Sequence, residues 1–198
     1  MKMGIIKEII LENGIRIIPK PDYVSYSDIQ ECLSKAHAVN EKKGLIYATQ
    51  NQTVNPLIEK LKDSITYVAL TPENKVIATA SVQFRKINYW YHNGDIGLLK
   101  LLGVLPEYSG MKLALLLMLL IRRFEVKSRG IEVLVSDSAE ENVPIRNLFL
   151  NNGFKIVDCC KYPTNSFIST VYAFWFHGCP FSDEELKIKY NQHRNELV

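Results

Sequence analysis

The amino-acid sequence predicts a mixed α/β (α+β) fold, with a central mixed sheet and helices on its faces. Apolar runs separated by turn residues in the first half indicate antiparallel hairpins, whereas buried strands alternate with helical segments in the second half. The chain has 198 residues, of which 47% are hydrophobic and 23% charged, the proportions of an ordinary globular protein. A chain of this length is expected to form one domain over 1–198, with a hairpin at 5–18 and a helix at 183–197 as appendages.

Hairpins and two helices are predicted for the first half of the chain. The pair Asn13-Gly14 is a strong signal for a tight hairpin turn. Apolar residues at a helical period then follow Ser27 and Asp28, either of which is a suitable N-cap. The predicted elements are a hairpin over 5–18, helices over 27–42 and 56–61, and a second hairpin made of strands 65–70 and 76–84.

Strands and helices alternate in the second half. Pro106 ends a strand whose apolar residues indicate burial on both faces, and Asp95 stands at the start of that strand. Asn142 is placed to cap a later helix, which Gly153 closes, and Ser182 opens a capping box before the last helix. The predicted strands are 96–104, 131–135, 154–158 and 168–176, and the predicted helices are 111–126, 142–150 and 183–197.

Charge and cysteine usage narrow the function classes. The 24 basic and 21 acidic residues give a net charge of +3, which suits an anionic small ligand but not the concentrated basic face of a nucleic-acid-binding protein. The four cysteines lack the spacing of a zinc site, so we expect free thiols in a reducing cytoplasm and no metal. The sequence does not start as a signal peptide, and the longest apolar run, 113–121, is far shorter than the ~20 residues of a bilayer-spanning helix. The sequence therefore predicts a cytoplasmic protein that contacts neither membrane nor nucleic acid.

A buried strand feeds directly into a long apolar helix between Val104 and Ala114. The first turn of such a helix leaves about four backbone N–H groups without internal partners, and the helix dipole adds about half a positive charge. These features favour the binding of a phosphate or pyrophosphate. Gly110 lets a ligand approach the backbone, and Lys112 adds a positive charge to the same turn. The alternative is an ordinary helix start, with Ser109 as its N-cap.

This junction resembles the coenzyme A loop of the GCN5-related N-acetyltransferase (GNAT) family. That loop has a Val-x-Pro sequence, a short spacer and then Gln/Arg-x-x-Gly-x-Gly/Ala. Ser109 departs from the pattern by replacing the usual arginine or glutamine, and Lys112 replaces the usual middle glycine. The matching residues are Val104, Pro106, Gly110 and Ala114.

A second stretch further along the chain is also similar to the family. Relatives often have Asn-x-x-Ala and then an aromatic residue four positions before Gly-Phe. The corresponding residues here are Asn142, Ile145, Phe149 and Gly153-Phe154. The resemblance covers about 65–176, is weaker over the first sixty residues and is absent from the C-terminal helix.

The resemblance implies a GNAT-like sheet, mostly antiparallel, in which two parallel strands splay apart to form a cleft for acetyl-CoA. Asn142 would reach the pantetheine arm or the thiol, or else serve only as a helix cap, and Phe149 is assigned to the same cofactor site. Backbone groups of the strand would pair with the pantetheine arm, and N–H groups of the loop would hold the pyrophosphate. The strand residues are Leu102, Gly103 and Val104, and the loop residues are Ser109, Gly110, Met111, Lys112, Leu113 and Ala114.

The side chains that usually catalyse acetyl transfer in the family are missing. Phe149 stands where many relatives carry a tyrosine that protonates the leaving thiolate, and no glutamate precedes the loop on its strand. The candidates for these roles are Tyr162 as an acid and Asp95 as a base, with His92 beside Asp95. For each of them a structural role is the alternative. The aromatic run 89–92 either lines the acceptor pocket or forms a hairpin tip against the first helix.

Three functions fit these observations. The first is an acetyl-CoA-dependent N-acetyltransferase that acts on an amine of a small molecule, an amino sugar or a peptide. The alternative is a non-catalytic acyl-CoA-binding or sensing domain, which the missing tyrosine and glutamate allow, and a third is a module that has lost the ligand. The acceptor carries no sequence motif, and the oligomeric state is open, with a homodimer as one option.

Overall fold

A mixed sheet forms the centre of the molecule. The structure, a computed structural model, describes residues 8–41, 44–47, 49 and 52–197. These residues form an eight-stranded sheet in the order β1-β2-β3-β4-β5-β6-β8-β7, in which only β5 and β6 are parallel neighbours. The strands are β1 Ile9–Ile10, β2 Arg16–Pro19, β3 Ser64–Leu70, β4 Val76–Tyr89, β5 His92–Val104, β6 Val133–Ala139, β7 Lys155–Lys161 and β8 Ile168–Trp175.

Helices pack on this sheet, so the predicted fold class is confirmed. Helix α1 contacts β4 and β5, α3 contacts β3 to β5, and α5 contacts β7. A short 3-10 turn, Pro106–Tyr108, precedes α3, and α3 continues into a π-helical segment, Ile121–Val126. The helices are α1 Tyr26–Glu41, α2 Val54–Leu61, α3 Leu113–Leu120, α4 Val143–Leu150 and α5 Asp183–Glu196.

The predicted N-terminal hairpin is confirmed, whereas the predicted cap of the first helix is wrong. β1 and β2 pair antiparallel across the predicted turn, where Gly14 has a φ of +79°. The predicted hairpin also included residues 5–7, and the predicted helix included Lys42, all of which lie outside the described residues. The cap of α1 is neither Ser27 nor Asp28. It is Ser25, whose hydroxyl accepts from the N–H of Asp28 at 3.1 Å, while the Asp28 carboxylate accepts from the N–H of Ser25 at 2.8 Å.

The ribbon formed by β4 and β5 is longer than predicted. The two strands stay paired out to Tyr89 and His92, whereas the sequence suggested an end near residue 84 and a new start at 96. Asp95 is therefore inside β5, opposite Lys86, and not at the start of the strand. Of the two alternatives that the sequence left open for the aromatic run 89–92, packing on α1 is wrong, because Tyr91 is buried in a cluster with residues of β6 to β8 and α5.

The segment before α3 also differs from its prediction. The helix begins at Leu113 rather than Met111, because Lys112 has left-handed backbone angles, with φ 58° and ψ 18°. Residues in that region cannot continue an α-helix. β6 differs too: it runs from Val133 to Ala139, beyond the predicted end at residue 135.

Close packing holds α1 against β5. A Cβ atom at Gly103 would lie 3.1 Å from Leu33 Cδ2 and 3.2 Å from the Ala36 Cβ atom, both on α1. Glycine at this position therefore lets the helix lie closely on the strand. This contact brings the next turn of α1, with His37, over the end of β5.

Candidate functional site

A cleft opens between β5 and β6. The two strands pair only from Ile96 to Leu98, with Val133 to Val135 as partners. Beyond that point β5 pairs only with β4, and β6 only with β8. Leu101 has a positive φ of 54°, and the register of β4 and β5 shifts nearby, which bends β5 away from β6. The predicted splaying of two parallel strands is therefore confirmed.

One side-chain hydrogen bond marks the point of divergence. The Ser136 hydroxyl donates to the carbonyl oxygen of Leu99 at 3.0 Å, across the first gap in the ladder. Further along, this edge of β5 offers backbone groups to a ligand in the way that a sheet edge accepts another strand. A cavity of about 890 Å³ fills the space, a volume typical of a ligand site.

A half-buried histidine, His37, lies over the free edge of β5. His37 Nε2 is 3.3 Å from the carbonyl oxygen of Leu102, and its Nδ1 is 2.5 Å from Thr49 Oγ1. Burial lowers the pKa of His37. The ring is therefore neutral near pH 7, with its Nε2–H donating to Leu102 and its Nδ1 accepting from the threonine hydroxyl. The Tyr47 ring stacks on His37, with 4.7 Å between the ring centroids.

Asn142 lies at the first position before α4, as predicted, but its side chain makes no bond to that helix. Asn142 is therefore the N-cap residue by position, as predicted, while its side-chain amide donates to the Tyr47 hydroxyl at 3.0 Å. Phe149 is almost fully buried, and its ring is 5.0 Å from those of Phe154 and Tyr172. Asn142 and Phe149 both line the cavity.

The turn before α3 lies outside the cavity lining. Two of the predicted phosphate donors are already engaged, since the N–H of Ser109 bonds Pro106 and that of Met111 bonds Tyr108. The first helical hydrogen bond is donated by Leu116 to the carbonyl of Lys112. Among the described residues, no backbone acceptor is found for the N–H groups of Gly110, Lys112, Leu113 or Ala114.

A carboxylate that the sequence analysis missed lies across the cleft. Asp137 is on β6, beyond the divergence, and it lines the cavity. Burial raises its pKa, and the Ser169 hydroxyl, the charge of Arg85 and the Tyr162 hydroxyl oppose that increase. The sequence signal was a single acidic residue within the strand Val133–Ala139, which had been predicted to end before it.

The two predicted catalytic residues lie in different places. Tyr162 lines the cavity with 41% of its surface exposed, and burial, followed by the charge of Asp137, raises the pKa of its hydroxyl. Asp95 is exposed on the ribbon and is not part of the cavity wall. His92 is also absent from the wall, and its Nε2 is 3.3 Å from the carbonyl oxygen of Asp95. The structure therefore brings Tyr162 together with Asp137 rather than with Asp95.

The C-terminal helix contributes to the same cavity. His193 Nδ1 is 2.6 Å from Asp158 Oδ1, and both residues line the wall. Asp158 also accepts from the N–H of Cys159 at 2.8 Å. The part of the chain without family resemblance thus contributes His193 to the cavity wall.

Solved structures show which fold this is. A putative acetyltransferase from Acinetobacter baylyi shares 16% identity and a TM-score of 0.63, with 85% of this chain and 96% of that chain covered. The NatC complex bound to Gag peptide and CoA gives 14% identity and a TM-score of 0.63, with 82% and 98% covered. A GNAT family acetyltransferase from Elizabethkingia anophelis with acetyl-CoA bound shares 12% identity and a TM-score of 0.56, with 84% of this chain and 100% of that chain covered. The chain therefore has the GNAT fold.

Sequence comparison alone does not detect this similarity. No protein-family model matches the chain, and no curated protein is significantly similar to it. Within the part of the chain that the structure describes, no helix combines the length and apolarity needed to cross a bilayer. The same residues contain no group of three or more His, Cys, Asp or Glu side chains that could hold a metal ion.

Proposed function

We propose that the chain is an acetyl-CoA-dependent N-acetyltransferase that transfers an acetyl group to an amine. The observation that carries this proposal is the cleft between β5 and β6, with the uncapped start of α3 beyond its end. A cleft with a free strand edge and a helix N-terminus offers hydrogen-bond donors and acceptors to both the amide arm and the pyrophosphate of coenzyme A. The GNAT fold of the chain agrees with this assignment.

The cofactor would be held mainly by backbone groups. The pyrophosphate would lie on the turn from Ser109 to Ala114, where the N–H groups of Gly110 and of the first helical turn are available. The pantetheine arm would follow Leu102, Gly103 and Val104, and Asn142 would approach it from the opposite wall. Phe149 would pack beside the thiol end, in the apolar part of the cavity.

Two side chains would handle the protons. Acetyl-CoA, when bound, supplies an acyl thioester that a neutral amine attacks. Asp137 would accept the proton of the incoming ammonium, because its raised pKa makes it a better base than an ordinary carboxylate. Tyr162 would give a proton to the leaving thiolate, since its raised pKa keeps the hydroxyl protonated at neutral pH. Asp137 therefore replaces Asp95 as our candidate base.

Acetyl transfer is tested by incubating the protein with acetyl-CoA and a panel of amines and measuring the released thiol. Asp137→Asn should lower kcat/KM by about 10²-fold or more, a usual effect of losing a general base. Asp95→Asn removes a carboxylate from outside the cavity and should leave kcat/KM within about twofold of the wild type. Equal losses in both variants would rule out Asp137 as the base.

The pH dependence gives a separate test of the same role. In the wild type, kcat/KM should fall as the pH drops through the raised pKa of Asp137, because protonation removes the base. Asp137→Asn should lack that limb and follow only the deprotonation of the acceptor amine. An unchanged limb in the variant would show that another group titrates.

A non-catalytic acyl-CoA-binding domain is the second candidate. Phe149 favours it, because this buried ring has no proton to donate at the position where many relatives carry a tyrosine. Calorimetry with CoA separates the two functions when combined with the amine panel. Tight CoA binding without thiol release from any amine would support the sensing domain and refute the enzyme.

A further inference from the structure

Three cationic side chains line the cavity. Lys60 comes from α2, Arg85 from β4 and Lys100 from β5. The Lys100 ammonium donates to Gln83 Oε1 at 2.9 Å and to the carbonyl oxygen of Lys60, so its position is fixed between α2 and β4. We call Lys60, Arg85 and Lys100 the cationic wall.

The cationic wall has no ion-pair partners among the described residues. Among the residues that the structure describes, none of the three forms an ion pair with a carboxylate. Burial, and then the positive charges of Arg85 and Lys60, lower the pKa of Lys100, which shows that the three groups lie within electrostatic reach of each other. Lys100 is half-buried, whereas Lys60 and Arg85 are exposed. A group of like charges on one cavity wall favours an anionic ligand.

Three carboxylates also line the cavity, but among the described residues none of them forms an ion pair with the cationic wall. Asp158 is held by His193 and by the N–H of Cys159. Asp137 is on β6, where the charge of Arg85 opposes the increase of its pKa, and Glu59 is exposed on α2 next to Lys60. The cavity therefore has a cationic wall and, within electrostatic reach of Arg85, the carboxylate that we assign as the base.

We propose that the acceptor is a small-molecule amine that carries an anionic group, a carboxylate or a phosphate, and that the cationic wall binds this group. The inference rests on the proposed acetyl transfer and specifies its substrate class. The anionic group bound to Lys100 and Arg85 would direct the amine towards Asp137 and the thioester. The anionic group of such a ligand is complementary to the cationic wall, and its amine is complementary to Asp137.

The test uses pairs of acceptors that differ only in the anionic group. One set consists of free α-amino acids and their amides, and the other of amino-sugar phosphates and the parent amino sugars. The wild type should acetylate the anionic member of a pair at least about tenfold more efficiently, as expected for a charged hydrogen bond. The set that shows the preference identifies carboxylate or phosphate as the group.

Arg85→Gln and Lys100→Gln should each reduce the ratio of kcat/KM for the anionic acceptor to kcat/KM for its neutral partner at least about tenfold, a ratio that cancels any effect of Arg85 on the base. Lys86→Gln is the matched control, because Lys86 follows Arg85 on the same strand but does not line the cavity. The KM for acetyl-CoA should be unchanged in all three. Circular dichroism checks the fold of each variant. If Lys100→Gln does not fold, Arg85→Gln alone tests the inference.

The outcomes separate this inference from the proposed function. Equal use of anionic and neutral acceptors, or a preference that survives both substitutions, would overturn the inference and leave acetyl transfer intact. If no amine is acetylated, the inference is tested by calorimetric titration of the CoA-saturated protein with inorganic phosphate and with acetate, at constant ionic strength. Binding of either anion that Arg85→Gln abolishes would support the cationic wall, and no binding by the wild type would refute it.

Discussion

Lys112 occupies a backbone conformation that favours glycine, and replacing it should change stability and ligand affinity in opposite directions. Its φ of 58° and ψ of 18° lie in the left-handed region, immediately before α3. That conformation costs a non-glycine residue about 1–2 kcal/mol. The family pattern that the loop resembles has glycine at this position. We therefore expect Lys112→Gly to raise the free energy of unfolding by about 1 kcal/mol, part of the strain being offset by the greater chain entropy of glycine.

The same substitution should weaken CoA binding. The exposed Lys112 ammonium is in the first turn of the proposed pyrophosphate site, and an exposed ion pair contributes about 1 kcal/mol at most, or about fivefold in Kd. Lys112→Ala separates the two effects, because alanine removes the charge but keeps a Cβ atom in the strained conformation. Lys112→Ala should thus weaken CoA as much as glycine does and gain no stability.

Urea unfolding and calorimetric titration with CoA at two salt concentrations measure these effects. The salt dependence of CoA binding should be smaller in both variants than in the wild type. If Lys112→Gly is no more stable than Lys112→Ala, the left-handed backbone is not strained. If neither variant binds CoA more weakly, the ammonium is a solvated side chain with no part in the site.

Three further perturbations address other parts of the site. Gly110→Val should weaken CoA binding at least about tenfold by placing a branched side chain at a φ of +85° in the phosphate turn; unchanged affinity with an intact fold would refute the placement. Because burial lowers the pKa of His37, the unfolded chain binds more protons, and stability should fall as the pH drops below the unfolded value of about 6.5. His37→Gln should flatten that dependence in urea unfolding at pH 5 to 7.5, and parallel curves would contradict it. Phe149→Tyr should leave CoA affinity nearly unchanged and raise kcat if the new hydroxyl reaches the sulfur; an unchanged kcat would show that it does not.

The parts of the site that depend on local backbone chemistry could be predicted from the sequence. The turn before α3 was recognisable because a strand, a proline and a glycine precede an apolar helix within a few residues. The left-handed backbone angles of Lys112 could not be predicted from the sequence, since lysine has no preference for that region and only the surrounding fold imposes this conformation. The helix start was consequently placed two residues too early.

The side chains of the cavity were harder to predict because they come from distant parts of the chain. His37 reaches the carbonyl of Leu102, 65 positions later, and Asn142 bonds Tyr47, 95 positions away. Asp137 was missed for another reason. Polar residues usually end a buried strand, but here the strand continues because one side of it faces a cavity, where a carboxylate remains partly solvated.

The contribution of α5 to the cavity wall has a consequence for how the acceptor selectivity of such a protein can change during evolution. The surfaces proposed for the cofactor are formed largely by main-chain atoms of β5 and α3, whereas other parts of the cavity wall are formed by side chains, among them His193 from a helix that the family pattern does not include. Replacing or remodelling that helix would alter which acceptors enter without disturbing the main-chain atoms that bind the cofactor. Selectivity for the acceptor and affinity for the cofactor can therefore evolve at separate positions of the same chain.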